Sequence, residues 1–313
     1  MEKEGMEKRM RYDCAIVGGG PAGLNAALVL GRARRNVALF DNNQPRNRVT
    51  HASHGFITRD GVTPAEFRRI AYEEVTGYPS VRHFPAEVTS VRKTESGFEL
   101  IASSGERVEA RKVILSGGLT ETYPEIEGIR DFYGKSLFVC PFCDGWELRD
   151  QPLAVVSNHP AAFHVVKLLN QNWSRDLVLF TNGGDNLTTE QREQLASKGI
   201  RVVDTPVLSF EGTDGKLERV RLADGTFIER SGGFVAPAQV PSGRFAEELG
   251  YEIGTNGEIV ADPMGKTTTA GVYAAGDSAY LQPSQLIHAA SSGSKAASAI
   301  VGELTEEDWQ ANA

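Results

Sequence analysis

Cysteine is scarce in this chain. Cys14, Cys140 and Cys143 are the only three in 313 residues, too few for the disulfide framework of a secreted scaffold, and this points to a reducing, cytoplasmic setting. Long hydrophobic runs are missing as well. None approaches the ~20 residues of a membrane-spanning helix, so no membrane partner is expected. There is no long basic run, and the net charge of -8 argues against nucleic acid as the main partner. The first ten residues are polar and charged rather than apolar, so they do not read as a secretory signal; they read as a frayed, disordered tail. What remains, 40% hydrophobic and 24% charged residues, suits a globular protein, and the length allows two ordinary domains.

Glycine is plentiful, and its positions are informative. A short apolar strand, Tyr12 to Val17, runs into Gly18-Gly19-Gly20-Pro21-Ala22-Gly23, a G-x-G-x-x-G. Leu24, Ala27, Leu28 and Gly31 then fall on one helical face, and a second strand, Asn36 to Phe40, ends in Asp41. This strand–turn–helix–strand context is the one in which the motif binds a dinucleotide. Gly18 permits the tight turn, Gly20 lets the backbone approach a pyrophosphate, and Gly23 lets helix and strand pack closely. Pro21 and Ala22 open a helix whose N-terminus faces the phosphates. Asp41 stands where an acid accepts a ribose hydroxyl. Arg46, Arg48, His51 and His54 follow in a loop, each taken alone a solvated residue. A helix from Ala65 to Val75, a meander from Val88 to Ser116 and a close-approach turn at Ser116-Gly117-Gly118 complete this part.

After a linker from Leu119 to Pro124, a second βαβ pattern comprises Leu153 to Val156, a helix from Pro160 to Asn170, and Leu177 to Phe180. Val202 to Val207, a hairpin from Leu217 to Ile228 turning at Asp224-Gly225, and Gly232 to Pro237 close it. Near the end, an apolar strand within Thr267 to Ala275 delivers Gly276-Asp277 to a turn, where an acid can accept from sugar-alcohol hydroxyls. A small-residue helix, Gln285 to Ile300, follows.

The most reactive stretch is Cys140-Pro141-Phe142-Cys143-Asp144-Gly145. Two cysteines three apart can close a small disulfide ring, and in a reducing compartment such a pair is catalytic or metal-binding. Pro141 suits the first turn of a helix with Cys140 as N-cap, a position that favours a thiolate. Asp144 can move a proton as the thiolate forms or leaves. A zinc site needs four ligands. Cys14 lies inside an apolar strand, and although His159 and His164 have a finger-like spacing from the pair, a strand and a helix start intervene, so no metal is expected.

Together, Gly18-x-Gly20-x-x-Gly23, Cys140-x-x-Cys143-Asp144-Gly145 and Gly271-Val-Tyr-Ala-Ala-Gly276-Asp277, in that order, resemble the low-molecular-weight thioredoxin reductases from Tyr12 to about Gly302. The resemblance implies an α/β protein of two Rossmann-like domains, the second inserted into the first: residues 11–120 and 241–313 binding FAD, residues 121–240 carrying the cysteine pair. It also implies a homodimer. Asp277 and Gln285 would approach the flavin and ribityl chain, Cys143 would be the flavin-proximal sulfur, Cys140 would attack the substrate disulfide, and Asp144 would be the acid/base. The inserted domain departs from the family. Where a second glycine-rich NADPH motif is usual, the chain has Ser157-Asn158-His159-Pro160-Ala161-Ala162, with only Ala162 fitting; where a His-Arg-Arg cluster takes the 2′-phosphate, it has Thr181-Asn182-Gly183-Gly184. NADPH is therefore a doubtful donor, and ferredoxin or another non-nicotinamide donor becomes an expectation. Three functions compete: a reductase of a thioredoxin-like protein, an oxidase of small dithiols using oxygen, and a flavin-binding regulatory module. The Cys-Pro-Phe-Cys spelling is similar to that of the oxidases, which commonly carry His where this chain has Asp144.

Overall fold

The structure is a computed structural model describing residues 11–241, 245–279 and 284–311; the polar Met1–Met10 segment lies outside them. The chain divides into two compact units. One runs to Arg46, resumes over Ala65–Thr120 and returns from Val240 onward; the other comprises Asn47–Pro64 and Glu121–Gln239.

In the first unit β1 (Arg11–Val17), α1 (Pro21–Arg32), β2 (Val37–Phe40), α2 (Pro64–Thr76), β3 (Val81–Phe84), β4 (Val88–Thr94), β5 (Gly97–Ala102) and β6 (Arg107–Leu115) follow in order. They form a sheet in the order β3-β2-β1-β6-β5-β4. β6 runs parallel to β1 along one edge and divides the other: β5 lies antiparallel against its first half, and the strand Val272–Ala274 lies parallel against Val113–Leu115. Two segments more than 150 residues apart thus share one strand, which folds the chain ends into a single unit. Alternate residues point to opposite faces of a strand. Cys14, Ile16, Val37, Leu39, Ile114 and Tyr273 pack with α1 and the C-terminal helix Leu286–Ala311; Ala15, Ala38, Phe40, Val113, Leu115 and Ala274 fill the other face. Both faces are buried, which is why these strands read as continuous apolar runs.

The second unit is built on a five-stranded parallel sheet in the order Arg201–Val203, Leu177–Phe180, Leu153–Val156, Gly232–Val235, Leu137–Phe138. Leu153, Val155, Leu177, Leu179 and Phe234 pack on Val166 and Leu169 of the helix Ala162–Asn172. The other face meets a three-stranded antiparallel sheet through Phe210, Leu217, Val220 and Leu222. The expected hairpin at Asp224-Gly225 is present between Lys216–Leu222 and Phe227–Glu229, and Val207–Thr213 adds a third strand. The segment Val202 to Val207, expected to continue the βαβ unit, divides, because Val203 belongs to the parallel sheet and Val207 to the antiparallel one.

The excursion Asn47–Pro64 belongs with the inserted unit, a division that the polar loop sequence does not announce. It is held where a Cβ on Gly134 (φ +80°) would lie 2.5 Å from the Val49 carbonyl oxygen, so backbone meets backbone there.

The C-terminal helix runs eleven residues past the expected end at Ile300, to Ala311. Charge explains the extension. Glu307 falls four residues after Glu303 on one face, and Asp308 follows it. Lys112 Nζ lies 3.0 Å from Glu303 and 2.6 Å from Glu307, Arg111 meets Glu307 and Asp308 at 2.7 and 2.6 Å, and Lys266 reaches Glu303 at 2.7 Å. Burial pushes the Glu303 carboxyl up, but interaction with Lys266, Tyr273 and Lys112 outweighs it and holds the group at about 2 against an ordinary 4.5. A carboxyl depressed on folding stabilises the fold above its unfolded pKa and loses that contribution as pH falls through the folded value. Glu303→Gln is expected to cost about 1 kcal/mol near neutrality, allowing for solvent screening, and nothing at the acid end. Urea unfolding across the acid range checks this: the two stability curves converge as pH falls from 4.5 toward 2.

Candidate active site

The glycine turn after β1 is built from contacts that exclude side chains. A Cβ on Gly18 (φ +106°) would lie 2.4 Å from the Ser116 carbonyl oxygen, and one on Gly23 would lie 1.9 Å from the Gly18 oxygen. The Ser116 hydroxyl closes the corner by donating to the Val17 and Gly18 carbonyls at 3.0 and 2.9 Å. Gly20 differs: it is the N-cap of α1, with ordinary dihedrals, and a Cβ there would meet nothing within 4 Å. Pro21 begins the helix, Ala22 is buried behind it, and the first turn carries no acid. The turn thus presents an open space lined by backbone at a helix N-terminus, which fits a pyrophosphate.

Gly19, to which the motif assigns no role, has one here. A Cβ would lie 2.0 Å from the Tyr72 hydroxyl oxygen and 2.8 Å from Asp41. Asp41 accepts from the Gly19 amide through Oδ1 at 3.1 Å, and through Oδ2 from Arg68 at 2.5 Å, Tyr72 at 2.9 Å and the Asn43 amide at 3.1 Å. Arg68 also donates to the Gly19 carbonyl at 2.7 Å. Burial pushes the Asp41 carboxyl up, but Arg68 overrides it and the group sits below its ordinary value. Asp41 is therefore first a clamp on the glycine turn. Arg68 and Tyr72, both on α2 and four residues apart, were invisible as site residues because they read as an ordinary helix face.

The second motif arrives from the other end of the chain. The Gly276 amide donates to Ser292 Oγ at 2.7 Å, and a Cβ on Gly276 (φ +70°) would lie 3.0 Å from that of Ala22. A Cβ on Gly293 would lie 1.9 Å from the Ala22 carbonyl. Asp277 thus follows a residue packed on the start of α1, and Arg46 Nη2 lies 3.1 Å from its Oδ2. Gly117 is exposed in the turn where the Gly118 amide donates to Ser278 at 2.8 Å. Gln285 is half-buried at the start of the C-terminal helix, its carbonyl accepting from the Ala289 amide.

In the inserted unit Cys140 and Cys143 are joined as a disulfide, their Cα atoms 5.3 Å apart. Cys140 is the N-cap and Pro141 the first residue of a helix of only one turn, Pro141–Asp144. So short a helix carries little dipole, so activation of a thiol falls to side chains. Asp144 supplies that chemistry. Burial first, then the like charge of Glu147, pushes its carboxyl up from an ordinary 3.8 to about 7. It can thus give or take a proton at neutral pH. Gly145 lets the following turns press on Trp173, whose ring would lie 2.8 Å from an added Cβ, and Phe142 meets the same ring edge to face at 5.6 Å. Among the described residues no group of three or more His, Cys, Asp or Glu is arranged to hold a metal. Nor is any helix there long and apolar enough to cross a membrane.

A model of the pyridine nucleotide-disulphide oxidoreductases matches residues 12–293. The chain belongs to this family. As a flavin-dependent disulfide oxidoreductase of the thioredoxin reductase type, it shares the family's use of FAD, which the backbone-lined turn at Gly20 fits. It is 35% identical to thioredoxin reductase aclD of Aspergillus oryzae, over 95% of this chain and 98% of the relative. Identity to thioredoxin reductase of Helicobacter pylori is 27%, over 93% and 98%. Among solved structures, TrxB from Bacillus anthracis matches with a TM-score of 0.91 at 46% identity, over 95% and 99% of the two chains. HlmI matches with a TM-score of 0.90 at 36% identity, over 100% and 96%.

Within this oxidoreductase the turn after Leu153–Val156 is occupied by its own side chains. The His159 amide donates to Ser157 Oγ at 3.2 Å, the Ala161 amide to His159 Nδ1 at 3.1 Å, and the Ala162 amide to the His159 carbonyl at 2.9 Å. At the end of the next strand Thr181 donates to Asp204 at 2.8 Å. Arg192, which the sequence did not single out, grips Asp204 through both terminal nitrogens at 2.9 and 3.0 Å and lies 3.7 Å from Asp185. Asn182 (φ +51°) is a turn residue whose side chain accepts from the Val207 amide.

The open space at Gly20 yields a test. Gly20→Val adds bulk where the protein itself offers no contact, so apo stability should change by less than about 0.5 kcal/mol, the range of neutral surface changes. FAD affinity should fall at least about tenfold, because the backbone can no longer approach the pyrophosphate. Unfolding of the apoprotein and equilibrium flavin titration measure the two effects separately.

Proposed function

We propose that this oxidoreductase passes electron pairs between FAD and the Cys140–Cys143 disulfide and on to a thioredoxin-like protein, with a donor other than NADPH. The observation that carries this reading is Asp144, poised at about 7 next to Cys143. Bound FAD supplies a two-electron carrier that exchanges with the cysteine pair. The Cys140 thiolate attacks the substrate disulfide, forming a mixed disulfide and releasing one substrate thiolate. The Cys143 thiolate then attacks the Cys140 sulfur, closing the Cys140–Cys143 bond and releasing the second. Asp144 takes the proton from Cys143 and returns it to a leaving thiolate. Gly18, Gly20, Pro21, Ala22, Gly23 and Gly117 would hold the dinucleotide, Asp41 would offer Oδ1 to the adenosine ribose, and Asp277 and Gln285 would approach the flavin and ribityl chain. The working form is a homodimer by resemblance to the family.

The choice of donor rests on the inserted unit. A nicotinamide dinucleotide needs free amides and room at a glycine-lined turn. Here the amides of His159, Ala161 and Ala162 are spent on the turn itself. A 2′-phosphate needs an uncommitted cation. Here Arg192 stands against two carboxylates, Asp204 and Asp185. Ferredoxin, or another carrier that needs no such turn, suits these residues better. Phe142 and Trp146, 62% and 65% exposed beside the pair, favour a second reading in which a small apolar dithiol is oxidised there and oxygen takes the electrons.

Two outcomes test the proposal. Asp144→Asn should retain FAD and slow thiol-driven flavin reduction by about 100-fold, the scale of general acid–base catalysis, and the pH dependence centred near 7 should vanish; stopped-flow absorbance reads both. In an anaerobic titration NADPH and NADH should leave the flavin oxidised on a catalytic timescale, while dithionite, reduced ferredoxin or a dithiol bleaches it. Rapid bleaching by NADPH overturns the assignment of the donor.

A further inference from the structure

His54 stands in the Asn47–Pro64 excursion, within the same compact unit as the cysteine pair. Its two ring nitrogens face two carboxylates. Nδ1 lies 3.5 Å from Asp60 Oδ1 and Nε2 lies 3.5 Å from Glu147 Oε1. The His54 side chain is only 20% exposed, whereas Glu147 and Asp60 are 42% and 69% exposed. Asp60 is itself held in place, because its Oδ1 accepts from the Gly55 amide at 2.8 Å. A neutral imidazole has one donor and one acceptor, so only the imidazolium can satisfy both carboxylates. Glu147, three residues beyond Asp144, is the charged group that acts on it and opposes its ionisation.

We infer that His54 is a positioning residue for proton transfer at Asp144: held between Asp60 and Glu147, its imidazolium offsets the Glu147 charge, and replacing His54 leaves that charge uncompensated beside the acid. The inference rests on the reading of Asp144 as acid/base. The groups that set it are His54, Asp60 and Glu147, with Arg149 turned aside over the Trp146 ring at 4.1 Å. The sign follows from like-charge repulsion. With the imidazolium present Asp144 ionises more readily. Without it Glu147 is uncompensated and Asp144 holds its proton to higher pH.

The experiment is the pH profile of flavin reduction by dithiothreitol in the holoenzyme, followed by stopped-flow absorbance and normalised to the thiolate fraction of the reagent. Wild type should show a titration that Asp144→Asn abolishes. His54→Gln should move that titration up by roughly half a pH unit, the size of one screened charge interaction. Asp60→Asn should move it the same way by less, and Glu147→Gln should move it down. The double variant His54→Gln/Glu147→Gln should fall between the two single variants, since the two charges act on Asp144 with opposite sign. A merely structural role for His54 would lower the amplitude or the flavin content of all pH points without moving the titration. If Asp144→Asn abolishes the titration but His54→Gln and Asp60→Asn leave its midpoint in place, the inference about His54 is overturned and the reading of Asp144 survives. If Asp144→Asn keeps the titration, the reading of Asp144 fails and the inference with it. Should His54→Gln lose FAD, the opposed shifts of Asp60→Asn and Glu147→Gln decide in its place.

Discussion

Backbone packed directly on backbone at the start of α1 is the constraint on which the first unit depends. Gly23 lies against the Gly18 carbonyl and Gly293 against the Ala22 carbonyl, each at a distance where a methyl group would overlap an oxygen. These contacts draw β1, α1, the strand ending at Ala274 and the C-terminal helix to one corner. A continuous unit can then be assembled from both ends of the chain while a second unit is inserted between Glu121 and Gln239. The same absence of side chains leaves the space at Gly20 in which a pyrophosphate fits. The close packing and the proposed cofactor site both follow from one arrangement.

The chemistry of the inserted unit depends on a different balance, that between burial and charge at Asp144. Burial raises its proton affinity and Glu147 raises it further. The one-turn helix at Pro141–Asp144 contributes little field of its own, so the group that titrates near neutrality beside the disulfide is a carboxyl, not a helix end. The turn at Ser157 to Ala162 shows the opposite economy. A helix follows it, but its own Ser and His side chains and the His159 carbonyl consume the amides that would otherwise meet an anion.

Much of this was legible in the sequence because its signals are local. The glycine spacing at 18, 20 and 23, the Cys140-Pro141 helix start, and the apolar runs of the buried parallel strands each follow from a few adjacent residues. Other features depend on partners distant in sequence. The strand Val81–Phe84 carries Arg82 and His83 between its apolar ends and so hides its place at the sheet edge. The last turns of the C-terminal helix, beyond the expected end at Ile300, are held by Lys112 and Arg111, nearly two hundred residues earlier in the sequence. Thr267 to Thr269, read with the strand that follows, form a turn instead, in which the Thr267 amide donates to the Val272 carbonyl. Arg68, Tyr72 and His54 had no local signal, since an arginine on a helix or a histidine in a loop is ordinary until its carboxylate is in view.

The central claim is that the Cys140–Cys143 disulfide is an electron store in exchange with the flavin. Anaerobic reductive titration of the holoenzyme with dithionite, counting equivalents per chain, tests it most directly. The account predicts that the wild-type chain takes up two electron pairs, one for the flavin and one for the disulfide as a two-electron couple, and that Cys140→Ser and Cys143→Ser each take up one. Uptake of a single pair by the wild type, indistinguishable from the serine variants, would contradict it.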